Sequence, residues 1–223
     1  MVDFVKIMDF FSVENTLFTI GGQGVSFLET FSVTAGLLCV FLATRVKVAN
    51  FWVGYLYNIL LFWLFYQKGL YSSMLLQPVS FIINFYGHYR WTHPRKGEEN
   101  ENRQLRITLL SAVKRLGYIG LMFVFAAIWG LSMKFLPDIA PDLFREPSRP
   151  FLDAFVTGAI LIAQYLSAQK KLECWAAWFV VNVTNVTLYL LAGMVFLPMV
   201  SAAYLVLAIF GSSSWYRQWK MRK

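Results

Sequence analysis

The 223-residue chain is 58 % hydrophobic and only 14 % charged, where soluble domains carry about 25 % charge and about 45–50 % apolar residues. With a mean hydropathy of +0.54 and 18 % aromatic residues, it is no disordered chain, coiled coil or small disulfide scaffold. A soluble enzyme is disfavoured as well, because so much apolar surface could not be covered.

In chain order, residues 1–24 place Phe4, Ile7, Met8, Phe11 and Leu17 at helical spacing. This predicts an amphipathic helix lying on the membrane surface, stopped by Gly21, Gly22 and Gly24. Apolar stretches then predict membrane spans near 26–44, 49–67, 70–91, 116–135, 151–168, 173–192 and 195–216. The expected organisation is a first three-helix bundle over 25–91, a charged loop over 92–115 and a linker helix over 116–136. An external loop (137–150), a second bundle (151–216) and a basic tail (217–223) follow. The run PRKGEENENRQLR has no apolar pattern before Leu105 and reads as a solvated loop.

With seven spans the chain ends lie on opposite sides. One side collects Arg45, Lys47, Arg90, Arg95, Lys96, Lys114, Arg115, Lys170 and Lys171, together with the C-terminal basic residues. The other side collects Asp3, Asp9, Glu14, Asp138, Asp142 and Glu146. Lys and Arg accumulate on the cytoplasmic side, so the N-terminus is expected outside and the C-terminus inside. The net charge of +8 is therefore a topology signal, and nucleic acid is not expected as a partner.

Sliding the chain by 124 residues aligns the first three spans with the last three without a gap. Asn58 meets Asn182, Gly87 meets Gly211, Trp91 meets Trp215 and Glu29 meets Asp153. Matched leucines are cheap in apolar sequence, but matched Asn, Gly and Trp at one offset indicate duplication. A three-helix unit repeated in parallel needs one extra span between the copies, which Leu116–Phe135 supplies. The expected class is an all-α polytopic membrane protein of seven helices with a 3+1+3 parallel internal repeat. Such repeats place a substrate site near the midplane, between the halves.

Polar residues inside spans are costly and mark function. Gln77 and Asn84 fall on one stripe of the third span. Asn58 lies in the second, and Trp175, Trp178, Asn182 and Asn185 form a stripe in the sixth. Their amides offer donors and acceptors to hydroxyls and carboxamides, and the indoles stack on flat or cationic rings. The simpler role for each amide is a helix–helix hydrogen bond. Trp91 and Trp215 sit near span ends and read as interfacial anchors. Glu29 and Asp153 are candidates for an outer gate, and Pro78 and Pro198 for hinges in the third helix of each unit. No metal or cofactor is expected, and the spans hold no protease, hydrolase or paired-carboxylate motif, so enzymatic activity is not expected.

The stretches CWAAWFVVNVTN, QPVSFIINFYGHYRW, TAGLLC and MDFFSVEN resemble the bacterial PnuC family of nicotinamide riboside transporters, over nearly the whole chain. The resemblance implies a fold like the full-length SWEET sugar transporters. It implies uptake of nicotinamide riboside across the inner membrane by facilitated diffusion, with trapping by a cytoplasmic kinase, and a homo-oligomer in the form of a trimer. Stacking by Trp175 or Trp178 and hydrogen bonding by Asn58, Gln77, Asn84, Asn182 and Asn185 suit that ligand. Thiamine or riboflavin transport is the related alternative, and a non-transporting sensor or scaffold is the alternative of another class.

Overall fold

The computed structural model describes residues 10–68, 71–100, 104–139, 141, 149–191 and 195–221. It opens with a hairpin of β1 (Thr16–Ile20) and β2 (Gln23–Ser26). Seven helices follow: α1 (Phe27–Thr44), α2 (Ala49–Gln67), α3 (Tyr71–Thr92), α4 (Ala112–Ile139), α5 (Pro150–Ala168), α6 (Cys174–Leu191) and α7 (Phe196–Lys220). Helices are the natural form for such apolar stretches, since they satisfy their own backbone groups in lipid. α1, α4, α5, α6 and α7 are long and apolar enough to cross a membrane. α2 and α3 are of similar length, and carry Asn58, Gln77, Ser80 and Asn84.

The hairpin corrects the expected surface helix over its last third. Ile20 pairs with Gln23, and the two turn residues Gly21 and Gly22 have φ of 58° and 78°. A two-residue hairpin turn of type I′ needs positive φ at both positions, which glycine supplies without strain. Phe4, Ile7 and Met8 lie outside the described residues. Ser26 ends the hairpin and starts α1: its Oγ accepts from Glu29 N at 3.2 Å, and Glu29 Oε2 accepts from Ser26 N at 2.7 Å, a reciprocal capping box.

α1 packs on α2 and α2 on α3, while α5 packs on α6 and α6 on α7. The two sets meet where α1 lies against α7 and α3 against α5; α4 runs along α5. α4 turns Leu116, Phe123, Ile128 and Phe135 outward, as a helix facing lipid does. It begins at Ala112 and continues through Pro137, so it is longer at both ends than the expected 116–136.

The segment before α4 is not a plain solvated loop. Leu105, Ile107 and Leu110 are buried against Trp91, Leu166, Trp175 and Trp215. Leu105 N donates to Trp91 O at 3.3 Å, and Thr108 N donates to Lys170 O at 3.2 Å. Arg90 pairs with Glu98 at 2.7 Å. The segment is a strap across one end of the bundle, fixed by the buried side chains of Leu105, Ile107 and Leu110.

The same end holds two matching helix terminations. After α1, Val46 N donates to Ala43 O and Lys47 N to Leu42 O; after α5, Lys170 N donates to Ser167 O and Lys171 N to Leu166 O. Both are Schellman closures, with Val46 at φ 57° and Lys170 at φ 54°, a left-handed conformation that costs a side-chain-bearing residue about 1–2 kcal/mol. Trp91 Nε1 donates to Ser167 O at 3.1 Å, and Trp215 Nε1 donates to Ala43 O at 2.9 Å. Trp91 stands edge-to-face on Phe51 at 89°, and Trp215 on Trp175 at 89°. Each of these pairs falls 124 residues from its counterpart. Both tryptophans are buried, Trp91 at 1 % exposure and Trp215 at 0 %, which replaces their expected role as interfacial anchors.

Candidate translocation site

The sequence singled out amides and indoles, and the structure sorts them into three environments. Gln77 and Asn182 are buried inside their bundles. Gln77 Nε2 donates to Ser73 O at 3.0 Å, and Asn182 Nδ2 donates to Trp178 O at 2.8 Å. Each amide thus commits one donor to its own helix, which fixes the direction of the side chain. Asn58, the 124-residue counterpart of Asn182, is likewise buried, on α2. Asn185 is half-buried one turn beyond Asn182 on α6.

Asn84 serves the scaffold. Its Nδ2 donates to Phe51 O of α2 at 3.1 Å, and its amide fills the space beside Gly54, where an added Cβ would lie 2.7 Å from that nitrogen. Gly54 lets α2 and α3 approach closely enough for this bond.

Trp175 belongs to the packed helix end rather than to the amides. It is 3 % exposed, with its ring pressed on Gly211, where a Cβ would meet it at 2.4 Å. Its buried Nε1 has no hydrogen-bond partner among the described residues. Trp178, one turn further into α6, is half-buried and touches both apolar clusters of the bundle.

Two contacts between the halves were not among the expected site residues. Gln164 of α5 donates through Nε2 to Ser80 Oγ of α3 at 3.2 Å, and its buried Oε1 has no partner among the described residues. On the opposite side, the Tyr204 hydroxyl of α7 and the Tyr57 ring of α2 converge on Gly36 of α1; a Cβ there would stand 2.1 Å from the hydroxyl and 2.9 Å from the ring. Ser80 and Tyr204 are 124 residues apart. The missing signal was the glycine: only a residue without a side chain admits both phenols at that point.

The candidate gate and hinge residues sit at helix starts or on a helix surface. Glu29 caps α1 and forms an ion pair with Lys68 at the end of α2. Asp153 lies in the first turn of α5 and is half-buried; the position matching Lys68 is Ala192, so the two carboxylates are not equivalent. Pro78 lies inside α3 and faces outward. Pro198 is the third residue of α7, where its missing N–H removes no helix bond.

The buried polar side chains divide by charge. Ser32, Asn58, Gln77, Ser80, Asn182 and Ser201 are neutral. The buried cations Arg90 and Lys170 stand at helix ends, Arg90 on Glu98 and Lys170 with its Nζ 4.3 Å from the Trp91 ring centre. Among the described residues, the interior of the bundle therefore offers a solute hydroxyl and amide partners with aromatic faces, and no counter-charge for an anion.

A family model described as "Nicotinamide mononucleotide transporter" matches residues 26–217. The chain belongs to that family. The nicotinamide riboside transporter PnuC of Escherichia coli (strain K12) is 34 % identical, aligned over 93 % of this chain and 94 % of the relative. The riboflavin/roseoflavin transporter RibM of Streptomyces davaonensis is 26 % identical over 81 % of this chain and 80 % of its own length. A crystal structure of the vitamin B3 transporter PnuC superposes with a TM-score of 0.68, at 22 % identity, over 88 % of this chain and 83 % of that chain. Family membership together with the apolar helices makes the protein a multi-pass membrane transporter rather than an enzyme.

Proposed function

We propose that this transporter takes up nicotinamide riboside across the bacterial inner membrane. The observation that carries the choice of solute is the neutral interior. A mononucleotide brings a phosphate that would meet no cation among the described interior residues, and leaving it there unpaired is prohibitively costly. A riboside brings hydroxyls, a carboxamide and a cationic ring, which amides and aromatic faces accommodate. Asn58, Gln77, Asn182 and Asn185 are the proposed hydrogen-bonding set, with Trp178 as the stacking face and Asn84 and Trp175 supporting it. Relatives of this family named for nicotinamide riboside support the same reading.

The proposed architecture is seven spans in a 3+1+3 parallel repeat of the SWEET type, with the N-terminus outside. The equivalent contacts at the 124-residue offset support it. Exchange of access then comes from rocking the two bundles about the amides, with Glu29 and Asp153 at the outer entrance and Pro78 as a hinge. Transport is by facilitated diffusion with trapping by an intracellular kinase, in a homo-oligomer, for which a trimer is proposed. Purified protein in liposomes is expected to equilibrate labelled nicotinamide riboside without an ion gradient, and to leave the mononucleotide outside. Equal flux of the mononucleotide overturns the choice of solute, and accumulation that an uncoupler abolishes overturns the passive mechanism. The likeness to RibM favours riboflavin as the second reading; a thermal-shift panel of riboside, riboflavin and thiamine separates them.

A further inference from the structure

At the strap end of the bundle, a groove of about 470 Å³ opens between the start of α4, the end of α5 and the strap. Its lining has two halves. Lys114, Lys171, Gln169 and Glu98 form a polar rim, and Leu110, Gly117, Leu121 and Leu166 form an apolar floor that continues onto α4. Added Cβ atoms at Gly117 in the floor and at Gly120 beyond it would meet nothing within 4 Å, so this face of α4 is flat and open. It lies beside the outward-facing Leu116 and Val113, which are 70 % and 79 % exposed.

The charges at the rim are unbalanced. Glu98 is taken up by Arg90 at 2.7 Å, and the neighbouring Glu173 by Arg115 at 2.8 Å. Lys171 Nζ donates to the neutral Thr108 Oγ1 at 2.7 Å. Lys114 stands in the first turn of α4, where the helix dipole already concentrates positive charge and a cation is unfavourable. Burial, with Lys114 nearby, also holds the Lys171 ammonium below its ordinary range, against the opposing pull of Glu98 and Glu173. Two like charges at the mouth of one groove are tolerated best when an anion sits between them.

We propose that this groove is a binding site for an anionic phospholipid, with its phosphate between Lys114 and Lys171 and an acyl chain along the Gly117–Leu121 face of α4. Basic pockets between membrane helices bind anionic headgroups in this way. A soluble phosphate would use only the rim and leave the apolar floor bare, and the continuity of that floor with the outer surface of α4 selects the lipid. This site is independent of the transported solute.

The test is native mass spectrometry of the purified full chain with phosphatidylglycerol or phosphatidylcholine of identical acyl chains. Phosphatidylglycerol is expected to be retained in preference, with binding weakened about fivefold for each lysine changed in K114Q and K171Q. G117W is expected to lose the lipid with the lysines intact, by filling the floor. Equal retention of phosphatidylcholine overturns the proposal, as does undiminished phosphatidylglycerol binding by K114Q/K171Q. Displacement of the lipid by glycerol 3-phosphate at the same concentration overturns the lipid assignment in favour of a soluble phosphate. Unchanged elution volume and helical circular dichroism confirm the fold of each variant; if K114Q/K171Q does not fold, K114Q, at an exposed side chain, supplies the same readout.

Discussion

Asn182 and Asn58 occupy equivalent places in the two bundles, yet their surroundings differ in one respect that bears on the proposed binding set. Asn182 has Trp178 one turn below it, and its Nδ2 is already bonded to the Trp178 carbonyl; the residue matching Trp178 is Gly54, whose open face is filled by Asn84. The second bundle therefore supplies both an amide and an indole, and the first an amide alone. Asn182→Ala is expected to weaken nicotinamide riboside binding by about 1–3 kcal/mol if its amide bonds the solute. Unchanged affinity by calorimetry removes Asn182 from the site. Of the amides the sequence marks, Asn58, Gln77 and Asn182 are buried and Asn84 and Asn185 half-buried, and the sequence is a poor guide to what they touch. Asn84 and Trp175 share stripes with binding candidates, but a helical stripe does not reveal that a facing backbone carbonyl or a facing glycine already claims the side chain.

Helix periodicity and apolar run length made all seven helices legible, because in lipid each must satisfy its own backbone. The segments between them were less legible. The hairpin hides in a sequence whose apolar residues also suit a helix, and the paired glycines decide the matter through their φ angles. The strap hides because its hydrophobic anchors, Leu105, Ile107 and Leu110, follow a dense run of charge. One expectation follows from the terminal tryptophans: W91F and W215F each remove one indole donor from a carbonyl at the end of α5 or α1 and are expected to cost about 1–2 kcal/mol apiece, read as a loss of thermal stability. A cost confined to one variant would mean that the two terminations do different jobs. Another follows from the strap. Arg90 holds the Glu98 carboxyl below its usual range, so this pair stabilises at neutral pH and the contribution disappears as pH falls through the lowered value. Because the Glu98 side chain is 40 % exposed, E98Q is expected to cost only about 1 kcal/mol at pH 7, and the gap to wild type should close on acidification. A gap that widens in acid would contradict the assignment.

For the molecule as a whole, the two bundles are held together differently at their two ends. At the strap end the contacts are crossed indoles and buried aromatic rings. Further along, the halves are joined by one polar contact, Gln164 with Ser80, on one side and by the packing of Tyr204 over Gly36 on the other. Rocking about the amides is thus expected to work against the weaker set. The crossed indoles also have a bearing on biogenesis. The Trp215–Ala43 bond spans 172 residues of chain, and the Trp91–Ser167 bond spans 76. During synthesis the closure of α1, whose Ala43 carbonyl already accepts from Val46 N, must wait for almost the entire polypeptide before it gains its indole donor, whereas α3 finds its partner as soon as α5 is in place. The final helix is therefore the piece that completes the first one. A chain that stops before Trp215 would leave the closure of α1 without its indole donor and without the buried ring that covers it, and pulse-chase degradation is expected to remove such truncations far faster than chains ending just beyond it.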